Sequence, residues 1–245
     1  MAKFVLLDAR LFAGAADLSG ASNKIEIKAE IEEKDTTNYR SRGWKEVLGA
    51  LGGAELSGAG QWEAGDPGLI DNAAWAQLGG RGPWTAGPVE ANVGALAYVM
   101  YGLQSSYGLG DQVGEVAPWN ASVKSSWPLA RGQFAHSPGI ARTGDGDGAG
   151  IELGPIAARQ RLYASLHVLS VAGTAAPTLT VDIESDATDA FADPAPVASF
   201  APAAAPGGQI VRTAGDAVTD SWYRASWTIS GTSPSFMFVV ALGIA

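Results

Sequence analysis

The chain of 245 residues is long enough for one large β domain or two smaller ones, and its 47% hydrophobic content excludes wholesale disorder. Charged residues make up 17%, below the roughly 25% of an ordinary soluble domain, which points to a surface partly covered by neighbouring copies. The absence of Cys removes disulfides, thiolate metal sites and a cysteine nucleophile, and a net charge of −9 argues against tight nucleic-acid binding, which needs clustered cations.

The apolar start, MAKFVLLDARLFAG, is broken by Asp8 and Arg10 and fails as a signal peptide; no segment approaches a membrane span. Synthesis and assembly in the cytoplasm are expected. Phe4 to Phe12 predicts a strand, followed by a turn-rich stretch. Lys24 to Glu33 alternates cleanly, with Ile25, Ile27, Ala29 and Ile31 on one face and Glu26, Lys28, Glu30 and Glu32 on the other. A period of two marks a half-buried strand. The polar loop KDTTNYRSRG and an apolar-rich run from Trp44 to Trp62 come next. One helix is predicted near 67–78: Asp66 suits the cap, Pro67 the first turn and Gly79 the stop, around a stripe of Ile70, Ala74 and Leu78 joined by Trp75.

Strand patterns return over Val89 to Tyr101 and Val113 to Phe134. Ser137 to Gly150 is small, polar and turn-forming, the pattern of a linker. Beyond it, strands are predicted at Leu162 to Val171, Thr178 to Glu184, Ser221 to Ser230 and Phe236 to Ile244, with Asp193 to Gly208 as loop. The last run is apolar throughout, as in a strand buried on both faces. These elements predict a mainly β chain: a β domain with one short helix over 1–136, a Gly-rich linker over 137–150 and a second β domain over 151–245.

Motifs for chemistry are sparse. His136 and His167 lie far apart, and neither a nucleophile elbow, a phosphate loop, a zinc helix nor a dinucleotide fingerprint occurs. Asp145-Gly-Asp147-Gly opens like a calcium loop, but Ala149 and Ile156 stand where ligands belong. Eight Trp residues invite a sugar-binding reading, a carbohydrate-binding β-sandwich module such as a receptor-binding or decoration protein, against the commoner role of Trp in cores and interfaces. No enzyme activity, cofactor or metal is expected.

Residues Asn23 to Leu78 resemble the tail tube (major tail) proteins of long-tailed bacteriophages. The likeness rests on NKIEIKAEIEEKDTTNYRSRGWKEVLGALGGAELSGAGQWEAGDP and the helix LIDNAAWAQL, with GEVAPWNASVKSSWPLARGQFA like later strands of that family. In the second half, VDIESDATDAFADP and SWYRASWTISGTSPSFMFVVALGI look like the extra β domain of some members. The resemblance implies a β-sandwich or barrel with a flanking helix, followed by a second sandwich-like domain. It implies hexameric or pseudo-hexameric trimeric rings that stack into a hollow tube in the virion tail, assembled in the host bacterial cytoplasm. The implied partners are other copies, a tail terminator, distal tail and baseplate proteins, a tape measure protein in the lumen and DNA in transit, with no membrane. On this reading Glu26, Lys28, Glu30 and Glu32 are candidate lumen residues, and Lys34, Asp35, Thr36, Thr37, Asn38, Tyr39, Arg40 and Arg42 form a candidate ring-stacking loop.

Overall fold

A computed structural model describes residues 5–63, 65, 70–112 and 114–245. Phe4, Asp66, Pro67 and Val113, named above in a strand start, a helix cap and a strand start, lie outside them. The chain is mainly β. In order come β1 (Arg10–Ala13), β2 (Ala16–Asp17), β3 (Ser22–Asp35), β4 (Val47–Gln61), α1 (Ile70–Gln77), β5 (Arg81–Gly87), β6 (Leu96–Leu109), β7 (Pro118–Ser125) and β8 (Ala130–His136). The second half adds β9 (Gly146–Asp147), β10 (Ile151–Glu152), β11 (Leu162–Asp186), β12 (Ala195–Ser199), β13 (Gly207–Arg212) and β14 (Trp222–Ile244).

All fourteen strands belong to one branched sheet. The branch point is β6: one edge pairs β5, while the other pairs β8 near Leu96–Val99 and then β7 from Gly102 onward. From there β7, β4 and β3 run one way, and β8, β14 and β11 the other. The first half closes around Leu11, Leu56, Trp84, Met100, Trp119 and Val123, with Ile70 of α1 as a lid. A second cluster draws on both halves, packing Phe12, Val99 and Phe134 against Tyr163, Val239 and Ala241. In the segment expected as a linker, Arg142 bridges Phe236 and β9 pairs β14.

The four strands expected after residue 161 are two. β11 and β14 pair along their length, with register shifts between Val168 and Thr178 that let one ladder run through what the sequence shows as breaks. Gly173, Ala175, Ala176, Gly231 and Ser233 take positive φ there. The ribbon folds back on itself, so that Leu179, Val181, Tyr223 and Trp227 from one part share a core with Leu166, Phe236, Phe238 and Val240 from the other.

Several expectations need correction. The first strand covers only Arg10–Ala13, and Val5, Leu6 and Leu7 are exposed. The expected loop Asp193 to Gly208 contains β12, whose Pro196 is tolerated because the strand pairs β11 alone on an edge. Ile70 and Ala74 of α1 are buried, but Trp75 and Leu78 are exposed; Trp75 sits one residue round the helix and meets Tyr107 edge to face at 6.0 Å. Gly79 ends the helix at φ +76.

Candidate assembly surface

The strongest functional feature is an arm. β3 pairs β4 from Ser22↔Gly60 out to Asp35↔Val47, while the far edge of β4 pairs β7 only from Glu55 to Gln61. Beyond Glu55 the two strands therefore have only each other, and the outer edge of β3 carries no partner strand among the described residues. A lone two-stranded hairpin is marginal in water. This one also exposes Ile31, Leu48 and Leu51, at 64%, 62% and 79%. Its inner strand holds Gly49, Gly52 and Gly53; a Cβ at Gly49 or Gly52 would meet only the Ile31 side chain, and at Gly53 nothing. Glycines inside a strand with open space above them mark a place where another backbone can approach closely. At the root of the arm, Ile25, Ile27 and Ala29 face Leu96, Tyr98 and Leu129 across an open apolar groove of about 760 Å3.

Glu26, Lys28, Glu30 and Glu32 all point to one exposed face of β3. They are paired two residues apart along the strand: Lys24 with Glu26 at 3.1 Å, Lys28 with Glu30 at 2.5 Å, and Lys34 with Glu32. The Glu30 carboxylate, first by hydrogen bond and then by charge, holds the Lys28 ammonium above its ordinary pKa. Cross-strand register carries the same face onto Glu55 of β4 and Lys124 of β7, and Ser122 donates to Glu55. Counting Glu26 to Glu32 alone gives three acids to one base, but the face over β3, β4 and β7 carries Lys24, Lys28, Lys34 and Lys124 against Glu26, Glu30, Glu32 and Glu55. It is balanced, because Glu26, Glu30 and Glu32 each have a lysine beside them.

Lys34 and Asp35 close β3, and the remaining loop residues form the tip of the arm. The tip is knitted by its own hydrogen bonds. Thr36 N–H donates to the Glu46 carbonyl at 2.9 Å, Glu46 N–H donates to Thr37 Oγ1 at 2.9 Å, and Thr37 N–H donates to Asp35 Oδ1 at 2.8 Å. Hydrogen bonding from the Thr37 side chain, and then from its backbone N–H, holds the Asp35 carboxyl below its usual range. Asn38 caps a 3₁₀ turn over Tyr39–Ser41: its Oδ1 accepts from Arg40 N–H at 2.9 Å, while Ser41 Oγ accepts from Asn38 N–H at 3.1 Å. Arg42 and Gly43 then take positive φ. The result is a preformed knob presenting Tyr39, Arg40, Arg42, Trp44 and Lys45 outward. Sequence reasoning passed over Trp44, Lys45, Leu48 and Leu51; the signal available was an apolar run without alternation, interrupted by three glycines.

The other residues singled out above fall elsewhere. His167 and His136 are both buried in strands. His167 Nδ1 donates to the Gly14 carbonyl at 2.9 Å, so Nε2 accepts from Thr85 Oγ1 at 2.8 Å, and Thr85 in turn takes the Ser165 hydroxyl at 2.8 Å. Serine, threonine and histidine thus line up, but all three have 0% exposure, and the chain joins β5 to β11 in the interior. Burial lowers the pKa of His167 to about 4. His136 has a pKa of about 4 for the same first reason; its Nε2 accepts from Arg142 Nε at 3.0 Å and its ring stacks on Phe238. Asp145 accepts Ile229 N–H at 2.7 Å and Asp147 faces Arg224 at 3.6 Å, so both hold β14. Among the described residues no group of three His, Asp or Glu is placed to hold a metal ion, and no helix is long and apolar enough to cross a membrane. Of the Trp residues, Trp84, Trp119 and Trp227 are core, whereas Trp44 and Trp75 are exposed at separate places.

No protein-family model and no curated protein matches the chain. Solved structures resemble it in backbone arrangement. The virion of a native gene transfer agent particle contains a chain 18% identical, with a TM-score of 0.44 over 53% of this chain and 98% of that one. The crystal structure of SPP1 Dit, a paradigm of the hub adsorption apparatus in phages infecting Gram-positive bacteria, is 10% identical, with a TM-score of 0.36 over 96% of this chain and 98% of that one. A chain of the anti-feeding prophage baseplate is 9% identical, with a TM-score of 0.41 over 54% of this chain and 98% of that one.

Proposed function

We propose that this chain is a structural subunit of a phage-type tail, whose activity is association with copies of itself into stacked rings around a conduit for DNA. The observation that carries the reading is the arm: a hairpin with a bare outer edge, apolar side chains in water and a preformed tip. An unpaired strand edge is a template for another chain, and exposed apolar surface on a projecting element favours a covered state. Pairing along β3 seats a neighbour's side chains in the groove at Ile25 and Ile27, and the tip reaches the next ring. Catalysis has no part in this reading.

The balanced face of β3, β4 and β7 is the candidate lumen wall. Its β3 lysines are already held by glutamates, so DNA phosphates gain little by displacing ions there. The duplex passes along a hydrated wall without being gripped. The terminator, the distal tail proteins and the tape measure protein are the partners this role calls for.

The test is sedimentation velocity with negative-stain microscopy of the purified full chain. Rings or tubes with a regular axial repeat are expected. A protein that stays monomeric as its concentration is raised overturns the reading.

A further inference from the structure

The two ends of the first-half sheet carry opposite charge. The arm tip, residues 35–46, carries Arg40, Arg42 and Lys45 against Asp35 and Glu46, a net charge of +1 in a chain of net charge −9. At the other end of β4, Gln61 pairs Pro118, and Trp62 N–H donates to the Ala117 carbonyl at 2.8 Å. Leu109 of β6 pairs Trp119 there, and Tyr107 brings in α1 through Asp71 and Trp75. That end exposes Glu63, Asp111 and Glu115. The segments that build it, residues 56–63, 70–80, 104–112 and 114–123, contain no Lys or Arg. The same end exposes Trp75, Leu109 and Val116, at 65%, 50% and 67%. At the rise of an extended strand, the 15 residues of β4 set the ends about 45 Å apart, so one copy cannot bring them together.

We infer that the basic aromatic knob of one copy docks on the acidic apolar end of the next, Tyr39 and Trp44 against Trp75, Leu109 and Val116, with Arg40, Arg42 and Lys45 facing Glu63, Asp111 and Glu115. Among the described residues no ion pair engages Arg40, Arg42, Lys45, Glu63, Asp111 or Glu115, and the two surfaces are complementary between protomers. A contact between two different patches repeats without closing, and along the strand direction it generates a stack. The inference rests on the arm being an assembly element and names the surface that receives it.

The test is a charge exchange between two proteins. One carries Arg40→Glu, Arg42→Glu and Lys45→Glu; the other carries Glu63→Lys, Asp111→Lys and Glu115→Lys. All six positions are exposed, and unchanged circular dichroism and melting confirm each fold. Each protein alone is expected to lose stacking, and an equimolar mixture to recover tubes containing both in equal amounts. Raising the salt to about 1 M, where screening acts within roughly 3 Å, shortens wild-type tubes. If either reversed protein alone stacks to wild-type length, or the mixture fails to recover stacking, the docking is wrong while wild-type tubes still support the function above. If the wild type never associates, both fall.

Discussion

Thr85 Oγ1 donates to His167 Nε2 across 2.8 Å, joining strands whose residues are 82 positions apart in the chain. The same hydroxyl accepts from Ser165, and the far side of the imidazole is fixed on Gly14. Every polar group in this buried junction has a partner, so the cost of burying it is met only while all four remain. Beside it, Gly208 lies close enough to Gly14 and Pro83 that a Cβ would come within 2.7 Å of each. This junction adds a polar key to the β8–β14 pairing and the shared apolar cluster that already join the two halves.

Removing the central hydroxyl tests the junction. Thr85→Val keeps the shape but leaves Ser165 and His167 Nε2 unmatched, and it should destabilise the protein by about 2 kcal/mol. Thr85→Ser keeps the hydroxyl and should cost clearly less. Urea unfolding midpoints compare the two.

Acid should loosen the same region. The unfolded histidine value is 6.5 and the folded values of His167 and His136 are about 4, so folding favours the neutral rings. Their contribution is complete above 6.5, declines as pH falls below it and is gone below about 4. Each histidine accounts for roughly 3 kcal/mol at most. Unfolding midpoints measured from about pH 7 down to about pH 4 should fall, and less steeply in His167→Gln.

The apolar residues of the arm should matter to assembly and not to the monomer. Leu48→Ser with Leu51→Ser changes side chains that touch solvent, so monomer stability should stay within about 0.5 kcal/mol. Association by sedimentation should weaken at least tenfold. An unchanged association constant removes these residues from the interface.

Deleting Asp35 to Arg42 and closing the hairpin with a short Gly-containing turn should leave a folded subunit that does not stack. The tip hydrogen bonds are almost all internal to residues 35–46, so their loss leaves the body intact. Tubes of normal length from this variant would falsify the role given to the loop.

Strands with one wet face were legible in the sequence: Leu179, Val181 and Ile183 alternate with polar neighbours and are fully buried, as are Tyr223 and Ala225. β3 was legible too, although its alternation continues past the body of the protein, where Ile31 has no core to enter. β5 was missed because RGPWTAG carries Gly and Pro and is buried on both faces, which erases the period. The ribbon of β11 and β14 was divided because GTSP and AGTAAP look like ends, whereas bulges and positive φ let the pairing continue. The candidate loop was visible as a polar insertion. Its order was not, since that depends on Thr37 and Asn38 meeting Glu46, Arg40 and Ser41.

The place of β14 between β11 and β8 has a consequence for synthesis. Both neighbours emerge from the ribosome well before it, and β8 waits through the 85 residues from 137 to 221 for the strand that will lie beside it. During that interval the arm is already made, and unfilled edges on β8 and β11 can capture the wrong chain. A nascent subunit is thus most prone to premature polymerisation before residues 222–244 arrive. Stalling translation at that point should yield aggregates instead of tubes.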